Sequence, residues 1–186
     1  MRFNWPNLLT LLRIALIPVF VVVFFLPYPW VHPVSCLIFA LAGITDWLDG
    51  YLARRFNESS AFGEFLDPVA DKLIVTAALV LLLADDARPL VAIPVMIIIG
   101  REITISALRE WMAEFRAGKR VAVSYLGKLK TTVQMLAIGL MLFRDPLGSV
   151  PIYFLGLMLL LISAVLTLWS MCLYLFAAWP ELRRDA

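Results

Sequence analysis

Residues 46–71 read DWLDGYLARRFNESSAFGEFLDPVAD, and they lie between the apolar runs VHPVSCLIFALAGIT (residues 31–45) and KLIVTAALVLLLA (residues 72–84). Long apolar runs without strand alternation predict helices, and the seven-residue connector from Phe56 to Phe62 is short enough to make the two helices antiparallel neighbours. Four aspartates, Asp46, Asp49, Asp67 and Asp71, therefore meet at the joined ends.

Working outward, the same pattern repeats along the whole chain. Of its 186 residues 62% are apolar and 16% charged, whereas soluble domains sit near 45–50% and about 25%. Six spans of roughly 20 residues would use about 120 positions. That leaves short loops and no extramembrane domain, so the chain reads as a single membrane domain over 1–186. The predicted helices run from Leu8 to Leu26, Pro33 to Arg55, Gly63 to Ala84, Pro89 to Phe115, Tyr125 to Phe143 and Pro151 to Ala178. This is an all-α integral membrane protein with six transmembrane helices, and a β-barrel is excluded by the absence of alternation.

With the amino terminus in the cytoplasm, fourteen of the sixteen Lys and Arg fall on the inner side and only Arg88 and Arg144 on the outer. The positive-inside bias then places both termini in the cytoplasm. Trp5, Tyr28, Trp30 and Trp179 fall near span ends, as interfacial aromatics do. The mixed aromatic and basic start, Met1 to Arg13, has the composition of an interfacial helix. Arg13 interrupts the first apolar run and no small-residue cleavage pattern follows it, so that run is expected to remain as a span rather than leave as a signal peptide. Cys36 and Cys172 read as small buried hydrophobes, and His32 as a solvated loop residue. The net charge of +2 gives no nucleic-acid surface.

The aspartates remain to be explained. Asp46, Asp49, Gly50 and Ala53 share one face of the second helix, and Gly63, Asp67 and Asp71 share one face of the third. Facing carboxylates repel unless protons or cations lie between them, and hard oxygen ligands suit Mg²⁺ or Mn²⁺, with room for two ions. Small residues on the same faces permit close helix packing or close approach of a ligand. A solvated acidic loop is the plain alternative. Against it, the string Asp46-x2-Asp49-Gly50-x2-Ala53-Arg54-x8-Gly63-x3-Asp67-x3-Asp71 fixes eight positions, a coincidence of order 10⁻¹⁰ per starting point at residue frequencies of about 5–8%.

At every fixed position this string resembles the signature of the CDP-alcohol phosphotransferases, membrane enzymes that displace CMP from a CDP-linked lipid or alcohol with a second alcohol. The resemblance implies a six-helix fold, usually a homodimer, with a two-metal site open to the cytoplasm. It implies that Asp46, Asp49 and Asp67 hold the metals gripping the diphosphate, and that Asp71 adds to the metal site and is the base for the incoming hydroxyl. Gly50, Ala53, Arg54 and Gly63 then shape the nucleotide pocket. Attack on a pyrophosphate needs the same parts, namely charge neutralisation, an in-line arrangement and a proton acceptor.

The second half narrows the acceptor. The segments Gly100-Arg101-Glu102-Ile103, Ser106-Ala107-Leu108-Arg109-Glu110, Val121-Ala122-Val123-Ser124 and Gly127-Lys128-Leu129-Lys130-Thr131-Thr132-Val133-Gln134-Met135, with the opening Pro6-Asn7-Leu8-Leu9-Thr10-Leu11-Leu12-Arg13, resemble the bacterial branch that uses glycerol 3-phosphate. This likeness covers essentially the whole chain. It implies CDP-diacylglycerol and sn-glycerol 3-phosphate as substrates in the bacterial inner membrane, with phosphatidylglycerol phosphate and CMP as products. Independently, Arg101, Arg109, Lys128 and Lys130 are cations near the cytoplasmic half of the bilayer, where an acceptor phosphate would meet them. Their plain alternative is snorkelling or pairing with Glu102, Glu110 and Glu114. Two other functions stay open at this stage: a family relative making cardiolipin or phosphatidylinositol phosphate, and a divalent-cation transporter. The transporter would want its carboxylates at mid-depth on broken helices, and these lie at helix ends.

Overall fold

The computed structural model describes residues 5–56, 61–114 and 125–182, with the side chains at 5–9, 47, 49–56, 61, 62, 64, 65, 109, 111–114, 125–128 and 177–182 outside the description. Six helices account for nearly all of it: α1 Trp5–Phe24, α2 Val31–Phe56, α3 Ala61–Asp85, α4 Pro89–Glu114, α5 Tyr125–Phe143 and α6 Ile152–Leu182. No strand occurs among the described residues, and the predicted helices match these within four residues at each end.

Local chemistry sets several ends. Pro6 and Pro89 lie in first turns, where a missing N–H costs nothing. Asp86 Oδ1 accepts the Arg88 amide just ahead of α4. At the end of α5, Arg144 turns left-handed with φ 60° and returns its N–H to the Leu140 carbonyl at 3.2 Å, an αL closure that glycine usually makes.

Among the described residues, two helices are long and apolar enough to cross a membrane, at Pro89–Leu108 and Ile152–Phe176. Thr10–Phe24, Val31–Asp46 and Leu129–Phe143 are further apolar stretches among the described residues, the first carrying Arg13 and the last Lys130. Phe176, Val165, Ile103 and Phe25 are each more than 60% exposed, an apolar surface that water tolerates poorly and lipid well. Tyr28 and Trp30 stack with ring centroids 5.5 Å apart in the exposed α1–α2 turn, the place expected for interfacial aromatics. Cys172 is exposed on α6, not buried as its apolar neighbourhood suggests, because it falls on that helix's outer face. Cys36 is half-buried.

One hydrophobic core draws on all six helices, with Phe20, Phe39, Leu79, Ile98, Ile138 and Leu160 among its buried residues. The closest pair is α5 with α6. A Cβ at Gly156 would lie 2.7 Å from Met141 Cγ and 2.9 Å from the Met141 backbone nitrogen, so only glycine lets the two helices meet there.

The expected adjacency of α2 and α3 is realised differently. Each packs more extensively against α1 than against the other. The first helix is thus wedged between the two that carry the aspartates.

Candidate active site

Between α2, α3, α4 and α5 lies a cavity of about 550 Å³, whose wall includes Asp46, Asp71, Lys72, Glu102, Thr131 and Gln134. Asp46 comes from one helix of the aspartate pair and Asp71 from the other, so the predicted convergence is met for these two. Asp67 stands one turn earlier than Asp71 on α3. Its Oδ1 accepts a 2.5 Å hydrogen bond from the Thr10 hydroxyl. Asp46 Oδ1 accepts one from Arg13 Nη1 at 2.7 Å.

Neither contact was expected from sequence. Thr10 and Arg13 stand three residues apart on one face of α1, 0% and 1% exposed, while Leu11 and Leu12 between them face outward. The signal was present: Arg13 is the sole charge in the first apolar run, and a cation so placed needs an anion.

Gly63 is buried at the start of α3. Asp49, Gly50, Ala53 and Arg54 belong to α2, but their side chains lie outside the described residues, as do those of Arg109 and Lys128. Arg101 and Lys130 are described. Both meet one carboxylate oxygen, Glu102 Oε1, Arg101 Nη1 at 2.7 Å and Lys130 Nζ at 3.0 Å, with Lys130 only 1% exposed. Pairing with Glu102 is what the plain alternative anticipated for these two. A cation that sequence reasoning passed over, Lys72, lines the cavity beside Asp71 and donates to the Ser106 hydroxyl, which in turn donates to the Glu102 carbonyl. Its position next to an aspartate of the motif was the available clue.

Gln134 is buried, and its Oε1 has no hydrogen-bond partner among the described residues. An amide orphaned in an apolar bundle is costly unless something else meets it.

The donor chemistry suits a hard divalent cation. Asp46 and Asp67 each keep one carboxylate oxygen without a described hydrogen-bonding partner, and Asp71 keeps both. Among the described residues no three such ligands close on a single point; the fourth aspartate of the set, Asp49, is outside them.

A second cavity, about 600 Å³ and almost wholly apolar, lies along α2 and α5 and is lined by Phe39, Ile44, Leu136 and Phe143. Gly43 and Met135 line both cavities. Met135 Cε would stand 3.2 Å from a Cβ at Gly43, so the absence of a side chain there lets Met135 pack close to α2 where the two cavities adjoin.

Residues 3–170 match the CDP-alcohol phosphatidyltransferase family. The chain is 53% identical over 182 residues to the CDP-diacylglycerol–glycerol-3-phosphate 3-phosphatidyltransferase of Salmonella typhimurium, covering 98% of each chain. It is 51% identical over the same length and coverage to the Escherichia coli protein of that name. With Asp46 of α2 and Asp71 of α3 lining one cavity and its sequence matched over nearly its whole length, the chain belongs to the CDP-alcohol phosphatidyltransferase family.

Proposed function

We propose that this protein transfers the phosphatidyl group from CDP-diacylglycerol to sn-glycerol 3-phosphate, releasing CMP and forming phosphatidylglycerol phosphate. Full-length relatives are named for that reaction. The observation that carries the reading is the pair Gly43 and Met135, at which a cavity walled by carboxylates and a lysine adjoins an apolar groove. A donor with a doubly charged diphosphate and long acyl chains needs both surroundings within one molecule's length.

Asp46, Asp49, Asp67 and Asp71 would hold two Mg²⁺ or Mn²⁺ ions, which when bound neutralise the diphosphate and keep attacking and leaving oxygens in line. The chain's own residues do the rest. Asp71, exposed toward the cavity and without a described hydrogen-bonding partner, is the base: it accepts the proton of the glycerol 3-phosphate hydroxyl as that oxygen bonds to the lipid-side phosphorus. The bond from this phosphorus to the CMP oxygen breaks, and CMP leaves with the electron pair. Gly50, Ala53, Arg54 and Gly63 shape the nucleotide pocket. Arg109 and Lys128 hold the acceptor phosphate; Arg101 and Lys130, already engaged with Glu102, are weaker candidates for it. Lys72 adds a cation on the cavity wall.

The charge distribution supports six spans with both termini and the active site on the cytoplasmic side of the bacterial inner membrane. A homodimer embedded in membrane lipid completes the proposal. Purified protein in detergent, given CDP-diacylglycerol and a panel of alcohols with and without Mg²⁺, should release CMP fastest with glycerol 3-phosphate. Faster release with myo-inositol or phosphatidylglycerol would overturn the acceptor.

A further inference from the structure

The carboxylates of a metal site must be aimed before they can bind, and an aspartate on a helix has two soft torsions with which to miss. In this protein two of the four are aimed by a helix that carries no ligand of its own. Thr10 Oγ1 donates to Asp67 Oδ1 at 2.5 Å and Arg13 Nη1 to Asp46 Oδ1 at 2.7 Å. Donors and acceptors are separated by 57 and 33 residues, so these are tertiary contacts and not local accidents of one helix. Both donors are sealed from solvent, and each acceptor keeps its second oxygen without a described hydrogen-bonding partner.

We propose that Thr10 and Arg13 are positioning residues of the metal site: from one face of α1 they fix one oxygen of Asp67 and of Asp46 and turn the other toward the cation. The proposal rests on the two-metal reading above. Hydrogen-bonded carboxylates lose less freedom on taking a cation, and partners of this outer kind commonly govern affinity 10- to 100-fold. Arg13 does a second job. Its positive charge tempers the repulsion among aspartates before metal arrives, while its fork, unlike an ammonium, fixes direction as well as charge. The wedge of α1 between α2 and α3 is what brings one helix within reach of both aspartates.

A simple staple between helices would show the same contacts, so the test must read metal directly. Mn²⁺ binding to purified protein in detergent is followed by the EPR signal of the free ion, in wild type, Thr10→Val, Thr10→Ser, Arg13→Gln and Arg13→Lys. Thr10→Val and Arg13→Gln should weaken binding about 10- to 100-fold, and Thr10→Ser should restore most of the loss because the hydroxyl returns. Arg13→Lys should fall between. In parallel, CMP release by Thr10→Val should recover as Mg²⁺ is raised, with the glycerol 3-phosphate KM unchanged at saturating metal. Should Arg13→Gln fail to fold, the threonine pair decides alone, since valine keeps the shape of threonine. Wild-type protein that takes up no Mn²⁺ would overturn the metal reading beneath this proposal. Wild-type uptake with equal affinity in Thr10→Val would overturn the positioning role and leave the metal reading standing.

Discussion

The two ends of the helix bundle both carry carboxylates and cations, and they use them in opposite ways. Where α3 gives way to α4, Asp85 pairs with Arg144 across 59 residues, and Asp86 takes hydrogen bonds from Arg88 Nη2 at 2.6 Å and from the Tyr153 hydroxyl at 2.5 Å. Arg144 also stands over the Tyr153 ring, 5.8 Å from its centre. These groups form a closed, largely exposed set. Toward the other end, in the halves of α2 and α3 nearer their connector, Asp71 has no described hydrogen-bonding partner, and Asp46 and Asp67 are each engaged through one oxygen among the described residues. Closed pairing marks the end that holds the loops together, and unfinished pairing marks the end that waits for a ligand.

The most severe way to break this comparison is to deny the unfinished end its cations. Excess EDTA should abolish CMP release, because the donor diphosphate is then left facing bare carboxylates. Full turnover in EDTA would mean those oxygens need nothing. Next in size is Asp71→Asn, which keeps the shape but cannot take a proton. Turnover should fall by at least about 10² with little change in donor affinity, and equal loss of both in steady-state kinetics would leave Asp71 its part in the metal site and remove it as the base.

Smaller is the loss of an acceptor contact. Arg109→Ala or Lys128→Ala should raise the glycerol 3-phosphate requirement about 10- to 150-fold, the worth of one hydrogen bond to a charged group. Plain glycerol, already a poor acceptor, should lose little further in the same assay. Identical acceptor kinetics in both variants would move the phosphate toward Lys72.

At the closed end the effects should be small and confined to stability. Arg144→Gln removes a part-exposed ion pair and should cost no more than about 1 kcal/mol. Arg144→Gly loses the pair too, yet relieves a left-handed φ that disfavours side chains. Melting in detergent should therefore rank glycine at or above glutamine, with activity unchanged in both; the reverse order would show that the pair outweighs the backbone. Finally, the Arg88 side-chain hydrogen bond, helped by Tyr153 and the Arg88 amide, holds the Asp86 carboxyl well below the usual carboxylate range. A depressed carboxyl stabilises the fold fully above its unfolded pKa, near 3.9, and the gain disappears as pH falls through the folded value. Asp86→Asn should thus lower the melting temperature slightly at pH 7 and less below pH 3.

The six helices were legible because each apolar run is bounded by proline or charge, as at Pro89 and Arg144. The meeting of Asp46 and Asp71 at one cavity was legible for a different reason, since helical period and a short connector leave little choice. The wedge of α1 was not. Hydropathy says that a helix is buried in the bundle but not between which neighbours, so Arg13 read as one more inner-side charge. The pairing of Arg101 and Lys130 on Glu102 escaped choice as well, because the sequence offered those cations a phosphate and a carboxylate with equal plausibility. Gln134 is uncharged and sits in an apolar run, and nothing short of its environment separates it from a packing residue.

Gly156 has a consequence for how the protein is made. On the six-span topology proposed above, α5 (Tyr125–Phe143) carries Lys128, Lys130 and Gln134, whereas α6 offers Ile152–Phe176 without a charge. A segment like α5 partitions poorly into lipid on its own. Because Gly156 lets α6 lie directly on the α5 backbone, the two can leave the translocation machinery as a hairpin, the later helix drawing the earlier one in. The helix that carries polar cavity residues then owes its membrane residence to a neighbour synthesised after it.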